Sequence, residues 1–315
     1  MGKTAFVFPG QGSQQVGMAS DLAEHFETAR RIVEQADEYL GYSLSSIMFQ
    51  GPEDSLKQTE NTQPALVTAG CAAFEVLKER GVQFDFTAGH SLGEYAALVA
   101  AGSLTFQEAV EAVHARGKFM EEAVPSGQGA MAAVMGMERE TLEEAVKAAS
   151  TDGETAELAN LNAPGQIVIS GTAEGVKRAG EEAKAKGAKR VIPLNVSGPF
   201  HSSLMKPAAD QLAQTLEQKT FKNAEVPVVS NVKAVGETDK DQIKEQLISQ
   251  VVSPVLWEDS IRYLIDEGVD TFVEIGSGKV LSGLVRKIQR KGIEVHAVFD
   301  QESLEAFIEA KGANS

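Results

Sequence analysis

Residues Gly89-His90-Ser91-Leu92-Gly93 form the single G-x-S-x-G pattern of the chain. Such a run suits a strand that ends, reverses sharply and starts a helix within about five residues. Glycines on either side of the serine remove the Cβ atoms that would clash in that turn. The serine then heads a helix whose unpaired N–H groups face a developing negative charge. Residues 84–88 before it read as a strand, and residues 92–101 after it as a helix ending at Gly102. The pattern predicts an exposed nucleophile at Ser91; the alternative is a serine in an ordinary strand–helix turn.

A serine hydroxyl needs a base to take its proton. Of the five histidines, His201 is the best placed, in the Gly/Pro loop Ser197-Gly198-Pro199-Phe200-His201-Ser202 between a strand and a helix. Loops of this kind present functional groups, although a capping or surface role fits the residues equally. His90 adjoins the serine but points the other way along the chain, which predicts packing. His25 and His114 fall in helical stretches and His296 in a strand. No metal site is expected, because the histidines lack H-x-x-x-H or H-E-x-x-H spacing and a lone cysteine builds no zinc cage. Gly276-Ser277-Gly278-Lys279 fails the phosphate-loop pattern, which needs glycine and Ser/Thr where Val273 and Val280 stand. Gly10-Gln11-Gly12 lacks the third glycine of a dinucleotide fingerprint.

Arg116 shares a helical face with Ala109, Ala112, Val113 and Met120. A buried arginine is costly unless its charge is paired. Spacing alone favours an ion pair with a protein carboxylate; the other reading is a bidentate clamp for a substrate carboxylate.

These groups need a scaffold. The 315 residues suit one large domain with a second one inserted, and 43% hydrophobic with 23% charged residues fits a globular protein. No run is long enough to span a membrane, no apolar signal segment is read at the N-terminus, and Phe6 excludes a myristoylation motif. The single cysteine, Cys71, reads as a buried apolar residue and fits a reducing, cytoplasmic setting. With 45 acidic against 29 basic residues the net charge is −16, which argues against nucleic acid as a partner. An anionic ligand must therefore find a local basic site.

Apolar runs at residues 4–8, 84–88, 226–230, 271–275 and 295–299 read as strands, separated by helices over 20–40, 61–80, 92–101, 105–124, 202–218, 241–252, 257–267, 280–290 and 303–310. Pro64 is expected in the first turn of its helix. This alternation predicts an α/β fold with a parallel sheet covered on both faces, and a site at the carboxyl ends of its strands. Residues 129–194 instead read β-α-β-β-α-β, the ferredoxin-like order. The expected organisation is a core of 1–128 and 196–315 carrying the nucleophile, with 129–195 as an inserted subdomain.

Taken in order, these segments resemble the malonyl-CoA:acyl carrier protein transacylase family of fatty acid synthesis. The matching pieces are Phe8-Pro9-Gly10-Gln11-Gly12-Ser13-Gln14, Gln63-Pro64-Ala65, Gly89 to Tyr95, Arg116-Gly117 with Met120, Asn160 to Gln166, Pro199-Phe200-His201-Ser202 and Glu274-Ile275-Gly276. The resemblance implies a hydrolase-like α/β core with a ferredoxin-like insert. It implies acylation of Ser91, with His201 as base and then acid, held by a backbone carbonyl near Gln250 rather than by a carboxylate. It implies an oxyanion hole from the N–H groups of Gln11 and Leu92. Arg116 becomes the clamp for the malonyl carboxylate, against the reading from spacing alone. Met120, Asn160 and Asn162 fall among the implied substrate-binding positions, and Phe200 before the histidine points to malonyl rather than methylmalonyl.

The implied donor is malonyl-CoA, with no permanently bound cofactor, and the implied acceptor is the phosphopantetheine thiol of an acidic acyl carrier protein. Candidate docking clusters are Lys184, Lys186, Lys189 and Arg190 on the insert, and Arg286, Lys287, Arg290 and Lys291 near the C-terminus; solvated helix faces explain them equally. A monomer is expected. The alternatives are a trans-acting malonyltransferase of a polyketide pathway, a serine thioesterase or hydrolase in which water is the acceptor, and a non-catalytic acyl-binding protein.

Overall fold

The computed structural model describes residues 2–151 and 153–313. Strand β1 (Lys3–Phe8) is buried from Thr4 onward, as expected for a central strand covered on both faces. Its side chains alternate: Phe6 and Phe8 enter one apolar cluster, Ala5 and Val7 another on the opposite face. The remaining strands are β2 (Phe86–Gly89), β3 (Gly129–Met135), β4 (Ala156–Ala163), β5 (Gln166–Thr172), β6 (Arg190–Pro193), β7 (Val228–Val229), β8 (Gly236–Glu237), β9 (Val269–Ile275) and β10 (Glu294–Val298).

The main sheet has the order β10-β9-β1-β2-β7-β8. Its pairings are parallel except the last, where β8 returns antiparallel on β7. Phe8 lies opposite Gly89, and Ala88 opposite Val229. Three strands thus end side by side, and the loops carrying Gln11, Ser91 and Asn231 leave from one edge. This is where ligands bind in open α/β sheets.

Residues 129–193 form a second, antiparallel sheet of order β4-β5-β3-β6, with helices Arg139–Ala149 and Ala173–Ala185. Their element order is β-α-β-β-α-β. A bridge from Asn160 to Val255, with Leu161 N donating to Val255 O at 2.9 Å, ties β4 to the main body.

Two helices frame the site from the other side. Thr59–Glu79 is buried along most of its length. Phe106–Glu122 starts at a capping box between Thr105 and Glu108. They approach closely at Gly117, where a Cβ would lie 2.6 Å from the Thr59 carbonyl oxygen. That contact sets Gln63 beside Arg116.

The structure corrects several expectations. The helix over 20–40 is two helices, Ser20–His25 and Glu27–Leu40, because Phe26 is extended at the junction. The helix expected over 61–80 begins at Thr59, so Pro64 lies inside it rather than in its first turn. Proline cannot donate to the carbonyl of Glu60, and the His114 ring fills the gap, with Nδ1 2.9 Å from that oxygen. The strand before Ser91 starts at Phe86, the strand over 226–230 shortens to Val228–Val229, and the helix over 202–218 opens with a 3-10 turn, Ser203–Met205. Short helices at Leu44–Gln50 and Glu53–Lys57, and strand β8, gave too few periodic residues to be read.

Candidate active site

Ser91 has φ 52°, in the left-handed region that a non-glycine residue rarely adopts. The turn tolerates it because its flanks have no side chains: a Cβ at Gly93 would lie 2.3 Å from Phe8 O, and one at Gly89 2.0 Å from Gly93 C. The turn is then pinned by Asn231, whose Oδ1 accepts from Ser91 N at 2.7 Å and whose Nδ2 donates to Gly89 O at 2.7 Å. His201 is also left-handed, with φ 57°. Backbone strain of this kind gathers at functional sites.

His201 Nε2 lies 2.8 Å from Ser91 Oγ, and Nδ1 lies 2.9 Å from the Gln250 carbonyl oxygen. A carbonyl only accepts, so the proton sits on Nδ1 and Nε2 is free to accept from the serine. Burial, reinforced by the nearby Arg116 charge, pushes the imidazole down to about 3. The histidine is therefore neutral at neutral pH.

Arg116 is 1% exposed. Its guanidinium donates from NH1 to Gln63 Oε1 at 2.7 Å, and from NH2 to Gln250 Oε1 at 2.9 Å and Ser91 Oγ at 3.0 Å. Nε has no partner. Among the described residues no carboxylate lies within ion-pair distance of it. The protein ion pair that spacing favoured is absent, because amide oxygens from two other helices solvate the cation instead. Serine thus accepts from Arg116 and donates to His201, which fixes the direction of its hydrogen bonds.

These groups open onto a cavity of about 820 Å³, lined among others by Gln11, Met120, Asn160 and Phe200. Among the described residues the N–H groups of Gln11 and Leu92 have no protein acceptor. Asn162 does not line the cavity; its Oδ1 meets His90 Nε2 at 2.8 Å. The His90 ring rests 5.5 Å from that of Trp257 and also borders the cavity, so it packs and faces the site at once.

The basic clusters are not at the cavity. Lys189 and Arg190 are exposed on the second sheet. Arg286 donates to Val295 O at 2.7 Å and Lys287 to Gln166 Oε1 at 3.1 Å. Lys186 is paired with Glu144. The basic side chain at the cavity rim is Lys57, itself paired with Glu53 at 2.8 Å.

Sequence reasoning gave no role to Asn231, Gln63 or Glu94. Asn231 was findable as a polar residue just past the carboxyl end of a core strand. Gln63 and Glu94 lie within the motifs named above, but only tertiary packing shows that Gln63 bonds Arg116 and that Glu94 is joined to it through Gln250. Glu94 is 3% exposed, and its Oε2 accepts from Gln250 Nε2 at 2.8 Å and Asn231 N at 3.2 Å. Burial pushes its carboxyl up to about 7, against the opposing effects of those two hydrogen bonds and of Arg116.

An activated hydroxyl, a neutral base and a buried cation therefore meet within about 3 Å at the floor of a cleft, beside free backbone donors. This arrangement can open an ester or thioester and hold an anionic group next to the reacting carbon.

Residues 5–307 match the acyl transferase domain family. A protein of Bacillus subtilis named malonyl CoA-acyl carrier protein transacylase is 56% identical over 98% of this chain and 97% of its own length. The crystal structure of an acyl carrier protein S-malonyltransferase from Vibrio cholerae is 46% identical, with TM-score 0.94, covering 97% of this chain and 99% of that one. A malonyl-transacylase solved in complex with its type II polyketide acyl-carrier protein is 44% identical, with TM-score 0.95, covering 98% of this chain and 99% of that one. This chain belongs to the acyl transferase domain family, in its malonyl CoA-acyl carrier protein transacylase branch.

Proposed function

We propose that the protein moves a malonyl group from malonyl-CoA to the phosphopantetheine thiol of an acyl carrier protein, through a malonyl ester on Ser91, in fatty acid synthesis. His201 takes the Ser91 proton as the oxygen attacks the thioester carbonyl. The N–H groups of Gln11 and Leu92 hold the tetrahedral oxyanion; loss of one such donor typically costs ~10²–10³ in rate. The CoA thiolate leaves with the proton that His201 returns. The carrier thiol then gives its proton to His201 and attacks the ester, and His201 returns that proton to Ser91 Oγ as the acyl–oxygen bond breaks. Gln250 orients the imidazole through its carbonyl. Met120, Phe200 and Asn160 line the acyl pocket, and Asn162 acts through His90.

The observation that carries this reading is Arg116: a buried guanidinium with, among the described residues, no protein carboxylate at ion-pair distance, and one nitrogen 3.0 Å from Ser91 Oγ. A malonyl carboxylate is the partner it lacks. An acetyl group would bring it no carboxylate, and sites built for a polar partner reject its absence by up to ~10⁴–10⁵.

The same proposal covers the surroundings. Residues 129–195 act as an inserted subdomain on a core of 1–128 and 196–315, in line with the second sheet taking all its strands from Gly129–Pro193. The carrier protein is acidic and docks on Lys189 and Arg190 with help from Arg286 and Lys287. The enzyme works as a cytoplasmic monomer without a resident cofactor. Among the described residues no helix is long and apolar enough to cross a membrane.

Intact-mass measurement tests the reading. Malonyl-CoA is expected to give one malonyl adduct, absent from Ser91→Ala and discharged by holo carrier protein. Free malonate without an adduct would make the protein a hydrolase.

A further inference from the structure

Arg116 presents an electrostatic problem that its contacts do not solve. Gln63, Gln250 and Ser91 solvate the cation but bring no charge. The Gln250 side chain leads onward. It is 0% exposed, and because arginine can only donate, its Oε1 must face Arg116. Its Nε2 is thereby turned to Glu94 Oε2, at 2.8 Å, with Ser91 O at 3.1 Å and Asn231 Oδ1 at 3.2 Å. One carboxamide thus links guanidinium to carboxylate.

We propose that Glu94 is a positioning and specificity-determining residue. Through Gln250 it supplies Arg116 with a counter-charge that is surrendered, by uptake of a proton from solvent, when an acyl group bearing its own carboxylate enters the site. This rests on the malonyl reading above. Both hydrogen bonds to Glu94 end on Oε2, so a proton on Oε1 breaks neither. The empty site keeps Arg116 balanced and aimed at the nucleophile. The loaded site needs only one anion, and Glu94 becomes neutral.

The charged and titratable groups around Glu94 are Arg116 on the facing helix, Tyr95 beside it, and His201 with His90 across Ser91. Burial raises the Tyr95 phenol above its usual range and holds both imidazoles below theirs. Glu94, near 7, is the member of this group whose charge changes at neutral pH. The sign follows. Below that value Glu94 is neutral, Arg116 is unbalanced, and a malonyl carboxylate is welcomed. Above it Glu94 is ionised and competes for the same cation. Malonyl preference therefore falls as pH rises: an ionised Glu94 competes with the malonyl carboxylate for Arg116 and offsets Arg116 beside a neutral acetyl group. By linkage, malonyl occupancy raises the affinity of Glu94 for its proton.

The test is the ratio of kcat/KM for Ser91 loading by malonyl-CoA and by acetyl-CoA, measured from about pH 6 to 8.5. The shared CoA moiety cancels its own titration. The wild-type ratio is expected to fall about tenfold across this range, within the usual span of coupling between sites. In Glu94→Gln the ratio is expected to be flat. A flat wild-type ratio, with malonyl-Ser91 forming normally, overturns the proposal, as does an unchanged slope in the variant. The wild-type profile decides even if the variant does not fold. Absence of any malonyl-Ser91 at all pH values would instead remove the functional reading on which the proposal stands.

Discussion

Replacing Arg116 with alanine separates two duties of one guanidinium, which bonds Ser91 Oγ and, in the proposed mechanism, holds the acyl carboxylate. Arg116→Ala is expected to slow malonyl loading by ~10²-fold or more while acetyl loading changes far less, so that discrimination collapses from the ~10⁴–10⁵ a polar site can achieve. Parallel loading assays with the two donors check this; a variant that still strongly prefers malonyl contradicts the clamp. His201 makes a second expectation at this scale. Its imidazole is held far below the ordinary 6.5 by burial and by Arg116. Protonation disables the base only at low pH, so kcat/KM for loading should show no acid limb near 6.5 when pH is lowered from 7 to 5. A rate that halves near 6.5 would place the base elsewhere.

At the scale of elements, the site depends on how closely two helices approach. Gly117→Ala puts a methyl group 2.6 Å from Thr59 O, so Thr59–Glu79 and Phe106–Glu122 must separate. The expected loss is about 1–3 kcal/mol, seen as a lower Tm, with weaker malonyl preference because Gln63 withdraws from Arg116. His114→Ala tests the repair at Pro64: the Glu60 carbonyl loses its ring partner, at an expected cost of about 1–3 kcal/mol by denaturant titration and with no change in acyl preference. These elements also show what the chain makes legible. The turn at Ser91 was readable because glycine spacing is a local, steric requirement. So was the β-α-β-β-α-β order of 129–193, since periodicity is local too. The break at Phe26 and the proline inside a helix were not, because a ring from another helix compensates for one and neither disturbs the apolar pattern. Arg116 misled for the same reason. Its helix face correctly indicated burial, while the identity of its partners, Gln63 and Gln250, depends on residues 53 and 134 positions away.

For the whole molecule, charge sets the terms of association. The chain carries −16, and an acidic carrier protein is repelled by it at long range. Local basic patches must offset this. Lys189→Glu with Arg190→Glu is expected to lower the association rate of the carrier several-fold at low salt, with the difference shrinking toward high salt. Stopped-flow discharge of preloaded enzyme measures it, and equal rates at low salt would move docking to another face. The bridge between Asn160 and Val255 bears on the same proposal, since it fixes the second sheet to the main body that carries Ser91.

The carbonyl behind His201 has a consequence in time. Where a carboxylate would strengthen the imidazole as a base, Gln250 offers only a dipole, and Arg116 weakens the base further. Such a base can relieve a thiol, with a free pKa near 8.5, of its proton far more readily than it can water, at 15.7. Solvent is thus a poor trigger and the carrier thiol a good one. In the proposed mechanism the acyl-Ser91 is a patient intermediate whose lifetime follows the arrival of its acceptor, so that the supply of carrier, rather than the clock of hydrolysis, decides when the group departs.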